Sequence, residues 1–206
     1  MALATYSDLE TQIANWLARD DLSSYIPDFI TLFECAAARK LKVRLQATTT
    51  TLATTLGVAT LPADYLGYQR VTWNGSPNQN LDYVVPSLWA QEWIPNSDGT
   101  AIQGIPSIFT IEGTSLKIKP VDDTGLIFGY FQKTPALSGT LNWLYTNHPD
   151  AYLFGSLCEA NAFNKGKAFQ DASLWKTRRD EVFQEIAMLD FNERQGMAIR
   201  VWGATP

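Results

Sequence analysis

A chain of 206 residues with 46% hydrophobic content is long enough for one ordinary domain with a real core. Charged residues make up 18% and aromatics 12%, with seven Trp, which argues against a disordered chain. The formal charge of -5 opposes tight DNA binding, which needs cations against phosphates, but does not exclude a wall that DNA slides past.

Low charge with many aromatics fits either a protein that buries surface against partners or one with a large aromatic core. Cys35 and Cys158 are too few for a disulfide framework and lack metal-ligand spacing. Both lie in apolar helical contexts and are expected as buried, reduced thiols, as in a reducing cytosol. Met1 to Tyr6 has neither a basic start nor an apolar run, so no secretion signal is expected. No stretch approaches the ~20 apolar residues of a membrane helix.

The pattern is α+β: two N-terminal helices, a β-rich antiparallel insertion, then two C-terminal helices. Ser7 and Glu10 have capping-box spacing and open the first helix. Leu9, Ile13, Trp16 and Leu17 give its apolar stripe, and Asp20-Asp21 is expected to stop it. A second helix is predicted from about Pro27 to Leu41, with Ile30, Phe33, Ala37 and Leu41 buried. Arg39, Lys40, Lys42 and Arg44 crowd its exit. They are either cations paired with the helix C-terminus or a contact for DNA or an acidic partner.

Threonines at 48 to 55 favour a strand. Leu66 to Trp73 and Leu81 to Val85 flank the turn residues 74 to 78 and read as a hairpin. Ser107 to Ile111 and Ser115 to Lys119 flank Glu112-Gly113-Thr114, with Leu116 and Ile118 inward and Lys117 and Lys119 on a wet face. Leu126 to Phe131 is a further strand, and Pro95 to Gly104 an exposed loop.

Helices return at Asn147, a good N-cap with Pro149 in the first turn. Leu153, Phe154, Leu157, Cys158 and Ala162 spread over a wide arc, so this helix is expected to be buried on most sides. Gly155 and Ser156 would admit a neighbouring backbone. The last helix runs from about Asp171 to Glu193. Trp175, Val182, Ile186 and Leu189 line one face, and Arg178, Arg179, Glu181 and Glu185 another. The simplest organisation is a single domain over 1-206. Residues 1-46 and 147-196 form a helical bundle, 47-146 the β-rich insertion, and 197-206 a docking tail.

That tail is unusual: Met197, Ile199, Val201 and Trp202 are apolar beyond the last helix. Chain ends are commonly exposed, so such residues need cover from the chain's own sheet or another subunit. Arg200 and Trp202 are two residue types typical of interface hot spots.

Catalytic patterns are scarce. The single histidine, His148, sits at a helix start, where a cap role competes with catalysis. No HExxH, cysteine cluster or P-loop occurs, and Lys165-Gly166-Lys167 lacks the preceding glycines of a phosphate loop. Glu34 and Glu159, in apolar helices, are the acid/base candidates, with burial against a cation as the structural alternative. No catalytic, cofactor or metal residue is assigned.

Several segments, in order, carry a resemblance. They are Thr5-Tyr6-Ser7-Asp8-Leu9 with Ile13 and Trp16-Leu17, Ile26-Pro27-Asp28-Phe29-Ile30, and the Arg39 to Leu45 exit. Leu61-Pro62-Ala63-Asp64-Tyr65-Leu66 follows, then the Ile111-Glu112-Gly113 to Leu116-Lys117-Ile118-Lys119-Pro120 hairpin. The last runs from Asn142-Trp143-Leu144 to Thr146-Asn147-His148-Pro149-Asp150, with Tyr152 and Leu153. Together they resemble the adaptor (head-to-tail connector, or neck) proteins of tailed bacteriophages.

The resemblance implies a non-enzymatic virion protein, assembled in the host cytoplasm. It implies a ring of twelve copies that joins the portal to the tail, or nozzle, protein. Such a ring continues the DNA channel without specific DNA binding, cofactor or membrane contact. It places Met197, Ile199, Arg200, Val201 and Trp202 at the portal, and Arg178, Arg179, Glu181 and Glu185 are candidate ring contacts. A tail-completion or stopper protein is the nearest alternative, and a carboxylate-dependent hydrolase a more distant one.

Overall fold

The computed structural model describes residues 3–89, 101–138, 140–163 and 171–195. The class is α+β, as the periodicities predict. The chain forms two compact units: one combines the residues up to Leu45 with those from Thr134 onward, and the other is Gln46–Lys133. The segment from Thr134 to Thr146, which the sequence pattern grouped with the strands, therefore packs with the helices.

The helical unit contains α1 (Tyr6–Leu17), α2 (Ile26–Lys40), α4 (Trp143–Asn147), α5 (Pro149–Phe163) and α6 (Ala172–Gln195). The cap of α1 lies two residues earlier than expected. Thr5 Oγ1 accepts the Asp8 N–H at 3.1 Å, and the Asp8 carboxylate accepts the N–H groups of Thr5 at 3.0 Å and Ala4 at 3.2 Å. Thr5-x-x-Asp8 and Ser7-x-x-Glu10 offer overlapping boxes. The earlier one wins because it brings Tyr6 into the helix, where its ring packs on the core. The helix stops before Asp20-Asp21, at Ala18, whose left-handed backbone (φ 49) and N–H bond to the Ala14 carbonyl end the ladder. Asp20–Tyr25 instead makes a 3-10 turn held by buried Leu22.

This cap predicts an acid response. The Thr5 hydroxyl and the Ala4 and Thr5 amides hold the Asp8 carboxyl below its ordinary value. A depressed folded-state value contributes stability above the unfolded pKa, and that contribution is lost as pH falls through the folded value. The protection factors of the amides at the start of α1, rates corrected for the intrinsic pH dependence of exchange, should therefore fall on acidification below the ordinary carboxylate range. In an Asp8→Asn protein that pH dependence should be missing.

In α2 the expected residues Ile30, Phe33, Ala37 and Leu41 are all buried, together with Ile26 and Phe29. The cap predicted at Asn147 belongs to Asn142, whose Oδ1 accepts the Tyr145 N–H at 2.9 Å and starts α4. Asn147 instead ends α4, because Pro149 cannot donate to the ladder. His148 spans the break: its N–H reaches the Leu144 carbonyl at 2.8 Å and its carbonyl accepts from Ala151 at 3.1 Å.

Helix α5 is the centre of this unit. Ala151, Tyr152, Leu153, Gly155, Ser156, Leu157 and Ala160 are buried around its circumference, whereas Ala162 is exposed. Gly155 provides the predicted close approach, but to a ring and not to a backbone. A Cβ there would sit 2.0 Å from a Phe33 ring carbon. Along α6, Trp175, Val182, Phe183 and Ile186 are buried, but Leu189 is 57% exposed. The stripe outruns its cover, since α5 has 15 residues against 24 in α6.

The second unit has two four-stranded sheets around one core that includes Val71, Phe109, Leu116, Ile118, Leu126 and Phe128. One sheet comprises β1 (Ala47–Leu52), β8 (Leu126–Gln132), β3 (Tyr65–Trp73) and β4 (Gln79–Asn80), in that order and all antiparallel. The other comprises β2 (Val58–Thr60), β7 (Ser115–Lys119), β6 (Ile108–Glu112) and β5 (Asp82–Tyr83). A short helix α3 (Pro86–Trp89) follows β5.

The β6–β7 hairpin follows the predicted alternation. Leu116 and Ile118 are buried, and Gly113 takes the positive φ (59) that its two-residue turn requires. The hairpin after Trp73 is shorter than expected. Only β4 returns along β3, while Asp82-Tyr83 crosses to the other sheet and pairs parallel with Ile108-Phe109. The insertion is thus mixed, not wholly antiparallel. Of the predicted Pro95 to Gly104 loop, residues 95–100 lie outside the described residues. Its end is tied down, with Val121 bonded to Ile102 and Gly104 to Val121 through their backbones.

Candidate docking surfaces

The acid/base candidates do not converge. Glu34 Oε1 accepts the Leu137 N–H at 2.6 Å and the Tyr152 hydroxyl at 3.0 Å. Asn142 donates to the same Tyr152 oxygen at 2.7 Å. Burial, with the nearby Glu34 charge, pushes the Tyr152 phenol far above its ordinary value, which keeps it a neutral donor. Glu34 therefore fixes the returning chain to α2 through these hydrogen bonds, a structural role. Glu159 is half-buried on α5 and makes no ion pair among the described residues.

His148 lines a cleft of about 130 Å³ with Arg44, Trp143, Ile186, Leu189 and Asp190. Cys35 is exposed on α2, contrary to expectation, because its position falls off the Ile30–Phe33–Ala37 stripe. Cys158 is half-buried, and burial raises its thiol above the ordinary range. No metal-holding cluster occurs among the described residues. Lys165-Gly166-Lys167 lies outside them.

Of the basic exit of α2, Lys40 lies 3.4 Å from Asp180 and 5.4 Å from the centre of the Phe183 ring. Arg44 donates its backbone N–H to Asp190 at 2.6 Å. Arg39 and Lys42 are exposed. Two of these four residues thus tie α2 and its exit to α6.

The predicted ring-contact residues separate into two sets. Arg179 is mostly covered and bonds Asp180 at 2.9 Å. Partial burial opposes ionisation of Asp180, but Arg179 and Lys40 outweigh it and hold the carboxyl below its usual range. Arg178 (3.3 Å from Glu181), Glu181 and Glu185 are exposed and rim a groove of about 400 Å³. Trp16, Phe154, Leu174, Val182 and Asp150 complete its lining. The periodicity placed Trp16 and Phe154 with the core. Phe154 does pack against it, half-buried, whereas Trp16 is 39% exposed and meets the Phe154 ring edge to face at 5.8 Å between centres.

The clearest feature missed in the sequence is the far end of α6. Met188, Leu189 and Phe191 are each more than half exposed there. Three large apolar side chains within four residues on a solvated helix form the kind of surface that proteins usually cover. The sequence signal was the continuation of apolar residues past Ile186. The predicted portal-binding residues Met197, Ile199, Arg200, Val201 and Trp202 lie outside the described residues.

Exposed apolar and salt-bridged faces of this kind are surfaces a protein offers to binding partners. The chain matches the SU10 adaptor protein family over residues 4–201 and belongs to it. It is a phage structural adaptor and a virion component, a role that implies interaction with other head and tail proteins. No curated protein matches the chain. No helix among the described residues is long and apolar enough to cross a membrane.

Proposed function

We propose that copies of this chain form a ring of twelve in the phage neck. The ring joins the portal to the tail protein and continues the DNA channel. The observation that carries this reading is the adaptor-family match over nearly the whole chain. The molecule acts by binding and not by catalysis, and the uses found for Glu34 and His148 are compatible with that. A net charge of -5 suits a wall that does not grip passing DNA.

The portal contact is assigned to Met197, Ile199, Arg200, Val201 and Trp202. The exposed Met188, Leu189 and Phe191 support it, since they make the last part of α6 before that segment an apolar surface.

Electron microscopy of the protein mixed with its portal tests the ring. A symmetric ring capping the portal is expected, and absence of association, with tail proteins present or not, would reject the proposal. Deletion of Met197 to Pro206 should abolish portal binding and leave the circular dichroism spectrum unchanged. Undiminished binding by the truncated protein would refute the tail assignment.

A further inference from the structure

The helical unit leaves one slot open around α5. Helix α2 touches both α1 and α6, the latter through Phe33 stacked on Phe183 and Lys40 beside Asp180. The remaining gap between α1 and α6 therefore lies across α5 from α2. That gap is the groove of Trp16, Phe154, Leu174 and Val182 rimmed by Arg178, Glu181 and Glu185. On the opposite side, α2 turns outward a stripe of exposed residues at helical spacing: Asp28, Leu32, Cys35 and Arg39.

The two surfaces are complementary. The α6 side of the groove runs from Leu174 to Glu185 and the α2 stripe from Asp28 to Arg39, each about 16 Å at helical rise. The groove carries three acids, Asp150, Glu181 and Glu185, against one cation, Arg178, which already lies 3.3 Å from Glu181. The stripe has its acid early, at Asp28, and its cation late, at Arg39. Among the described residues Asp28, Arg39 and Glu185 make no ion pair. With the helices parallel and Arg39 opposite Glu185, Cys35 comes opposite Glu181, Leu32 opposite Arg178 and Asp28 opposite Leu174, so that Leu32 and Cys35 cover the apolar floor.

We infer that the groove between α1 and α6 of one copy receives the outward stripe of α2 from the next copy. Because the surfaces differ and lie on opposite sides of α5, the contact is head-to-tail, the kind that closes into a ring by rotation. This inference rests on the ring reading proposed above and supplies its subunit contact.

The test uses full-length protein assembled on its portal. In Glu181→Cys rings, oxidation should link the new thiol to Cys35 of the neighbour and give a ladder of covalent oligomers on a non-reducing gel. Adding Cys35→Ser should remove the ladder. Arg39→Glu or Glu185→Arg alone should lower ring yield at least several-fold, and the double reversal should restore it, with unchanged circular dichroism throughout. Rings that form without the ladder and tolerate both reversals would overturn the contact and leave the ring reading standing. Failure of the unmodified protein to form rings would remove both.

Discussion

Replacing Phe33 with alanine is expected to destabilise the helical unit by about 3–5 kcal/mol, the usual cost of deleting a large buried aromatic. Phe33 is fully buried, stacked on Phe183 at 6.0 Å and edge-on to Tyr152 at 5.0 Å. Its ring also occupies the space that a side chain at residue 155 would need. Gly155→Ala should therefore destabilise by roughly 1–3 kcal/mol through overpacking, less the ~1 kcal/mol by which Ala favours a helix. In a Phe33→Leu background the same Gly155→Ala change should cost less, giving a coupling on the order of 0.5–3 kcal/mol. Urea unfolding followed by far-UV circular dichroism reads all four proteins. Additive effects would show that the ring and the glycine are not in contact.

The second large effect is expected at Glu34. Glu34→Ala removes the acceptor for the Leu137 N–H and for the hydroxyl of buried Tyr152. Each donor left without a partner costs about 1–3 kcal/mol, so the combined loss should be about 2–6 kcal/mol. Glu34→Gln keeps an oxygen in place and should cost much less. The two unfolding midpoints should therefore differ clearly, at roughly 2–4 °C per kcal/mol for a protein of this size. Equal loss in both would mean that the charge, and not the acceptor, matters at this site.

Most of the helical architecture was legible because burial imposes a period. The α2 stripe and the enveloped character of α5 follow from residue spacing alone. So does the small residue at 155, although spacing could not name Phe33 as the group seated there. The β6–β7 hairpin was legible for the corresponding reason, a two-residue period broken at a glycine.

What was not legible depended on choices between near-equivalent local signals. Thr5 and Ser7 both satisfy the capping-box spacing, and the packing of Tyr6 decides between them. Asn142 and Asn147 are both competent caps, and the first is selected by its contacts with Tyr145 and Tyr152. The parallel pairing of Asp82-Tyr83 with β6 brings together segments about 26 residues apart, and nothing local encodes it. Leu189 and Cys35 show the limit of periodicity, which gives a residue's face but not whether a neighbour is present to cover it. That limit matters most for an adaptor, whose function lies in the uncovered faces.

The helical core is built from two stretches of chain separated by about 90 residues of β structure. During synthesis, α1 and α2 emerge first, with Phe29, Ile30 and Phe33 still lacking the helix they pack on. At ~5–20 residues per second, about 5–20 s separate the end of α2 from the start of α4. The β unit can fold in that interval and bring the two halves of the chain closer, which reduces the entropic cost of joining them. Until α5 is made, the apolar faces of α1 and α2 have no helix to pack on, and a β unit that folds in the meantime shortens the search that finally covers them.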